Sequence, residues 1–246
     1  MNILGHAYVA TEAVKGNREL LIIGSLLPES SPFIADNPFS WEEIHESGEK
    51  FLKFLDQKYS EKRDLAMGIL AHSYKFGADK FSSRIETFIK GDKEELVQKI
   101  VDCSGVGLEA ARKWRIHNYF WWGADVWIFK NNPGFVKEVK GVLEEMDISE
   151  VSRLLAECFD KDFEKVEKTF KKLFEGVYRP KDLNSVAGFA QVWARQAAGL
   201  PEKDRVNPQK AAALFEEIYL MLENRWEEIM GEVISEVRKN LNPRNF

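Results

Sequence analysis

The chain has 246 residues, 44% of them hydrophobic and 30% charged, with 8 Pro and 16 Gly, a balance that excludes disorder, collagen-like repeats and low-complexity polymers. Its formal charge of −5 provides no global basic field to hold a nucleic-acid duplex by counterion release. Cys103 and Cys158 stand far apart with no CxxC pair, which argues against a disulfide scaffold or a thiolate zinc site and leads us to expect a reducing, cytoplasmic setting.

Helical periodicity and helix punctuation recur along the chain, without strict alternation or Asn-Gly hairpin signals, so the expected fold is all-α. A first helix is predicted from Ile3 to about Val14 and a second over Glu19 to Leu27. The apolar run Leu20–Leu27, broken by Gly24 and Ser25, is far short of the ~20 residues of a membrane span, and the first residues lack the charged flank of a signal peptide. Pro28, Pro32 and Pro38, with Ser30, Ser31, Asp36 and Asn37, predict a long irregular loop, a good place for a site. Ser40-Trp41-Glu42-Glu43 has capping-box spacing and opens a helix to about Gln57. The next helix is expected over Arg63 to Phe76, with a further turn near Ile85–Ile89 and a D-x-x-E start at Asp92. A strongly aromatic helix should run from about Leu108 to Lys130, ended by Asn131-Asn132-Pro133.

Beyond Pro133 the texture becomes Glu/Lys-rich and amphipathic, with helices expected at about 133–146, 148–158, 162–176 and 183–198. Asn207 as N-cap and Pro208 at the first helical position open the last helix. Its apolar positions Ala211, Phe215, Ile218, Leu222, Trp226, Ile229, Val233 and Val237 predict one uninterrupted rod of about 33 residues and ~50 Å at 1.5 Å per residue. No polar linker divides the chain. We expect one helical domain, a multi-helix bundle whose residues 1–130 hold a central metal site and whose residues 131–246 cover it.

The four histidines, His6, His45, His72 and His117, all precede residue 118 and all fall on predicted helices. Imidazole is the commonest neutral metal ligand, and helix-borne histidines meeting in a bundle collect ligands from distant sequence. In Leu65, Ile69, His72, Phe76 and Asp79 the steps are those of one buried helical stripe, provided the helix stays regular through Gly77. His117, Trp121 and Asp125 likewise share a face. Burying Asp79 and Asp125 beside aromatics is costly without a cation to compensate.

Each feature also has a plainer reading. A single core histidine is more often satisfied by a backbone carbonyl, and an aspartate more often caps a helix or pairs with Arg or Lys. The aromatic cluster Trp114, Tyr119, Phe120, Trp121, Trp122 and Trp127 reads as core before it reads as a base-stacking platform. His45 and Glu49 form an i, i+4 pair, but Glu42, Glu43 and Glu46 around it read as a solvated acidic face.

Taken in order, Gly5-His6, Gly24-Ser25-Leu26-Leu27-Pro28-Glu29, Ile44-His45, Gly68-Ile69-Leu70-Ala71-His72 with Ala78-Asp79, and Ile116-His117-Asn118 resemble the zinc-dependent phospholipase C family. That family includes the amino-terminal domain of glycosylphosphatidylinositol-specific phospholipase D and belongs with the S1/P1-type nucleases. The resemblance covers roughly residues 1–130. It departs from the family pattern at Glu29, where Asp is usual, at the longer spacing from His72 to Asp79, at Ser83 in place of a His, and at Trp121 and Trp122 where a Glu often follows.

The resemblance implies metal-assisted hydrolysis of a phosphodiester in a phospholipid head group, a nucleotide or a nucleic-acid strand. His6, His45, His72, Asp79, His117 and Asp125 are then the candidate ligands, and Glu29 the candidate base or carboxylate ligand. With two ligands missing, one or two ions are expected rather than three. Nitrogen and oxygen donors favour Zn²⁺ and permit Mn²⁺, Fe²⁺ or Ni²⁺. A helical binding or scaffold protein that keeps the bundle and has lost the chemistry is the alternative. The His-Asp phosphohydrolases fit less well, because the chain has no His-Asp dipeptide.

Overall fold

A computed structural model describes residues 2–84, 88–89, 93–200 and 204–242, with the side chains of 82–84 left aside. Among the described residues the structure is all-α, with no strand. The helices are α1 (Ile3–Ala13), α2 (Arg18–Leu26), α3 (Trp41–His45), α4 (Gly48–Lys58), α5 (Arg63–His72), α6 (Lys93–Ser104), α7 (Ile116–Asn131), α8 (Pro133–Glu145), α9 (Ile148–Phe159), α10 (Phe163–Lys171), α11 (Val186–Gly199), α12 (Pro208–Met221) and α13 (Trp226–Asn240). The expected starts at Asp92 and over Ile85–Thr87 lie outside the described residues.

The buried apolar side chains form one cluster that runs from Ile3 to Leu241. Its centre is α1, α2 and α5, packed on one another, with α7 against α1. Helix α2 approaches α5 at glycine: a Cβ on Gly24 would lie 2.1 Å from the Leu65 carbonyl oxygen, and one on Gly68 2.8 Å from the Gly24 Cα. Around this centre, α12 packs on α7 and α11, α13 on α1, and α9 on α4 and α10, so helices of the C-terminal half pack against those of the N-terminal half. No helix among the described residues is long and apolar enough to cross a membrane.

Several expected elements are divided. The segment predicted as an irregular loop after Leu27 contains a 3-10 turn (Leu27–Glu29) and a short helix (Ser30–Phe33). The capping box at Ser40 forms in both directions, but the helix it opens stops at His45, and α4 starts after Ser47. The aromatic helix opens through a wider-wound turn over Ala111–Arg115. The C-terminal rod is two helices, not one. Between α12 and α13 the chain makes a tight turn in which the Leu222 and Trp226 amides bond back to Tyr219 and Leu222, and the Trp226 indole donates to the Tyr219 carbonyl at 3.0 Å. An unbroken apolar period thus conceals a bend that buries Trp226 completely.

Candidate metal centre

Helix α1 begins at the site. The Leu4 and Gly5 amides, free at its first turn, donate to the two oxygens of Asp125 at 3.0 and 2.9 Å, and His6 follows immediately with its side chain 1% exposed. Asp125 is therefore a buried helix cap that α7 supplies to α1, and it is in neither of the groups of close donor atoms that form around His72. Two amide donors use its oxygens, while burial pushes its carboxyl up to about 7.

Helix α2 ends in the turn Leu27–Glu29, which delivers Glu29 to the same place, 6% exposed. The carbonyl of Ser25, on the last turn of α2, accepts a hydrogen bond from His72 Nδ1 at 2.7 Å. A carbonyl can only accept, so the proton of His72 is on Nδ1 and its lone pair on Nε2. His45 is fixed in the same way: its Nδ1 lies 3.2 Å from the Trp41 carbonyl one turn earlier, and the Trp41 indole stacks on its ring at 4.7 Å. The acidic residues around His45 do not make it a solvated position, because the ring itself is buried.

Asp79 reaches the site by a route other than the expected stripe. Helix α5 ends at His72, and the chain folds back over that end. A Cβ on Gly77 would lie 2.3 Å from the Ala71 carbonyl oxygen, an approach that a side chain would block. The reversal puts Asp79 Oδ2 3.3 Å from His72 Nε2 and Asp79 Oδ1 3.5 Å from His6 Nε2.

His6 Nε2 also lies 3.3 Å from Glu29 Oε1, and the His6 and His72 rings stack at 3.7 Å. Donor atoms of His6, Glu29 and His72, and again of His45, His72 and Asp79, lie within 4.8 Å of one another. Tetrahedral bonds of about 2.0–2.1 Å place neighbouring donors roughly 3.3–3.4 Å apart, close to the 3.3 Å from His6 to Glu29 and from His72 to Asp79 and the 3.5 Å from His6 to Asp79. Because His72 offers a single lone pair, at Nε2, it serves one cation at a time, and the two groups share it.

His117 does not join either group. It lines the cavity that opens above them, about 430 Å³, together with Asn2, Asn118, Trp41, Tyr74 and Trp114. Trp121 and Trp122 are fully buried core, with Tyr119 and Phe120. Of the aromatic cluster, Trp114 alone stands well exposed, at the cavity wall. The side chain of Ser83 lies outside the described residues.

Burial governs the protonation of the site. It lowers His6 well below the usual histidine value and lowers His45 to about 3 and His117 to about 4. It raises Glu29 to about 7. For His72 burial works downward but is outweighed by the Asp79 charge and hydrogen bond, which raise it. For Asp79 burial works upward but is outweighed by His72 and its neighbours, so it stays well below the usual carboxylate range.

Comparison with protein-family models, curated proteins and solved structures finds no match for this chain.

Sequence reasoning missed Tyr178 and Gln196, a buried pair in which burial, and then the charge of Glu29, push the Tyr178 phenol well above its usual range. Gln196 Nε2 donates to the Tyr178 hydroxyl at 2.9 Å. Nothing in their local pattern marks them, because both look like ordinary core positions of amphipathic segments.

Proposed function

We propose that the chain is a metal-dependent hydrolase of phosphodiester bonds. His6 is the observation that carries the metal reading. Its ring is buried, neither nitrogen has a hydrogen-bond partner, and Nε2 faces two carboxylates. A buried imidazole left in that state is expensive unless a cation takes its lone pair.

The donor set fits such a cation. His6 and His45 are held neutral, as ligands must be, and the tautomers of His45 and His72 are set by carbonyls behind them. A divalent ion would be held by His6, Glu29 and His72 or by His45, His72 and Asp79, with Glu29 and Asp79 balancing its charge. Nitrogen and oxygen donors favour Zn²⁺, with Mn²⁺, Fe²⁺ or Ni²⁺ also accommodated. When bound, the ion supplies Lewis-acid polarisation and a more acidic water. Glu29 is the candidate base where it does not itself hold the ion. The cavity, walled by Trp41, Tyr74 and Trp114, receives the substrate, and the resemblance to the phospholipase C and S1/P1 families supports a phosphodiester in that role.

A non-catalytic binding protein with a degenerate site is the second reading. It is favoured by Trp121 and Trp122, core residues where the family often has a further ligand.

Elemental analysis of protein purified without a histidine tag, followed by turnover of bis(p-nitrophenyl) phosphate, tests both. The hydrolase reading expects at least one transition-metal ion per chain, loss of turnover on chelation and recovery with Zn²⁺ or Mn²⁺. His72→Ala should abolish metal retention. Metal without turnover supports the second reading, and absence of both metal and turnover overturns the metal centre.

A further inference from the structure

We propose that Glu46 is a positioning residue that ties together the two elements carrying His45 and Asp79, so that these side chains and His72 face one cation; this rests on the metal reading above. His45 is the last residue of α3, and Glu46 follows it as the residue that closes the helix. Asp79 lies beyond the reversal that leaves α5 after His72. The two donors sit on different elements, so their separation depends on what holds the reversal against α3.

Glu46 supplies that hold with both oxygens. Its Oε1 accepts from the Tyr74 amide at 2.9 Å and its Oε2 from the Lys75 amide at 3.3 Å. Both amides stand just past the end of α5, where the chain has turned away from the helical carbonyls. The next two are served from within the segment: the Phe76 amide donates to the Ser73 hydroxyl at 3.2 Å and the Gly77 amide to the Ser73 carbonyl at 2.8 Å. A carboxylate that accepts one backbone N–H on each oxygen fixes direction as well as distance. Glu46 thus fastens the start of the path to Asp79 to the residue beside His45.

Neighbouring contacts join the same surfaces. Lys75 Nζ donates to Glu49 Oε2 of α4 at 2.6 Å, and the Tyr74 ring lies 5.6 Å from that of Trp41. From α13, the Asn240 amide donates to the Phe76 carbonyl at 3.0 Å. Glu46, which reads from sequence as part of a solvated face, is half-buried and turned inward to this task.

The other group of donors is held by different means. His72 is fixed by the Ser25 carbonyl, and Glu29 by the turn after α2. Loss of Glu46 should therefore loosen the group formed by His45, His72 and Asp79 and spare the one formed by His6, Glu29 and His72.

The test uses Co²⁺ as the probe, titrated into metal-free full-length protein and followed by its visible absorption. Wild type should bind with a coloured band. Glu46→Ala should weaken binding about tenfold, the lower end of the cost of losing an outer-shell partner, because Glu46 holds backbone rather than a ligand ring, and it should shift the band. Glu46→Gln keeps one acceptor oxygen and should fall between the two. Glu42→Ala removes an exposed charge from the same helix and should bind Co²⁺ as wild type does. In an Asp79→Ala background Glu46→Ala should have no further effect.

Glu46→Ala protein with wild-type affinity and colour overturns the positioning role and leaves the metal centre intact. An equal loss from Glu42→Ala overturns it too, since the effect would then be one of general charge. A further loss in the Asp79→Ala background does the same. Wild-type protein that binds no Co²⁺ overturns the metal reading and this inference with it.

Discussion

His117 and Glu29 line one cavity, and burial moves them in opposite directions. His117 is held at about 4 against an unperturbed 6.5, and Glu29 is raised from 4.5 to about 7. Below pH 6.5 the unfolded chain takes a proton on this histidine and the folded chain does not, so its contribution to stability is lost as pH falls from 6.5 towards 4. For Glu29 the folded chain holds the extra proton between 4.5 and about 7, so its contribution is lost as pH rises through that window. Each slope is at most about 1.4 kcal/mol per pH unit. In metal-free protein, the stability advantage of wild type over His117→Asn should grow with pH from about 4 to 6.5. The advantage over Glu29→Gln should shrink from 4.5 to about 7. Urea titrations at half-unit steps measure both, and slopes of the same sign would contradict these burial effects. The histidines and Asp79 could be picked out by residue type and order. Asp125 could not be told from them, since a ligand and a cap are the same residue until its oxygens are seen to face the Leu4 and Gly5 amides.

The crossing of α2 and α5 is the element that sets the site, because it brings the Ser25 carbonyl to His72. It depends on glycine at both faces. A Cβ on Gly68 would meet the Leu21 carbonyl oxygen at 2.6 Å and the Ser25 nitrogen at 2.7 Å, backbone atoms that cannot swing away. Gly68→Ala should cost about 1–3 kcal/mol as overpacking and weaken metal retention as the helices part. Thermal melts with and without Zn²⁺ would show this as a lower melting temperature and a smaller rise on adding the ion. Unchanged melting with full metal content would overturn the dependence of this crossing on glycine. Most helices could be read from period and punctuation, since amphipathicity and caps are local. Their interruptions could not: the breaks at Glu46–Ser47 and Leu222–Arg225 fall inside unbroken apolar patterns, where packing of His45 and Trp226 chooses a bend.

At the scale of the molecule, the two halves are joined by a buried ion pair beside the cavity. Arg115, which lines it, grips Asp204 through Nε at 2.6 Å and Nη2 at 2.9 Å, and the Asp204 side chain is fully buried. Arg115→Met leaves a buried carboxylate unpaired and should cost about 3–5 kcal/mol, whereas removing both partners, as Arg115→Met with Asp204→Leu, should cost less. Equilibrium unfolding of the three proteins decides it. A double variant as unstable as the single one would show that the loss is one of packing, not of charge. The adjoining residues 205 and 207 bond to the carbonyls of Ser104 and Cys103 at the end of α6, so this pair lies where the segment before α12 is tied to that helix end.

Residue types, helical period and capping patterns sufficed to establish an all-α chain and to gather His6, His45, His72, Asp79 and Glu29 as candidates, because those properties are written within a few residues of one another. Which of the candidates meet, and which become caps, depended on packing. Contacts between residues more than a hundred positions apart, such as Asp125 with Leu4, arise from the closing of helices on one another, and no local pattern encodes where two distant faces will touch.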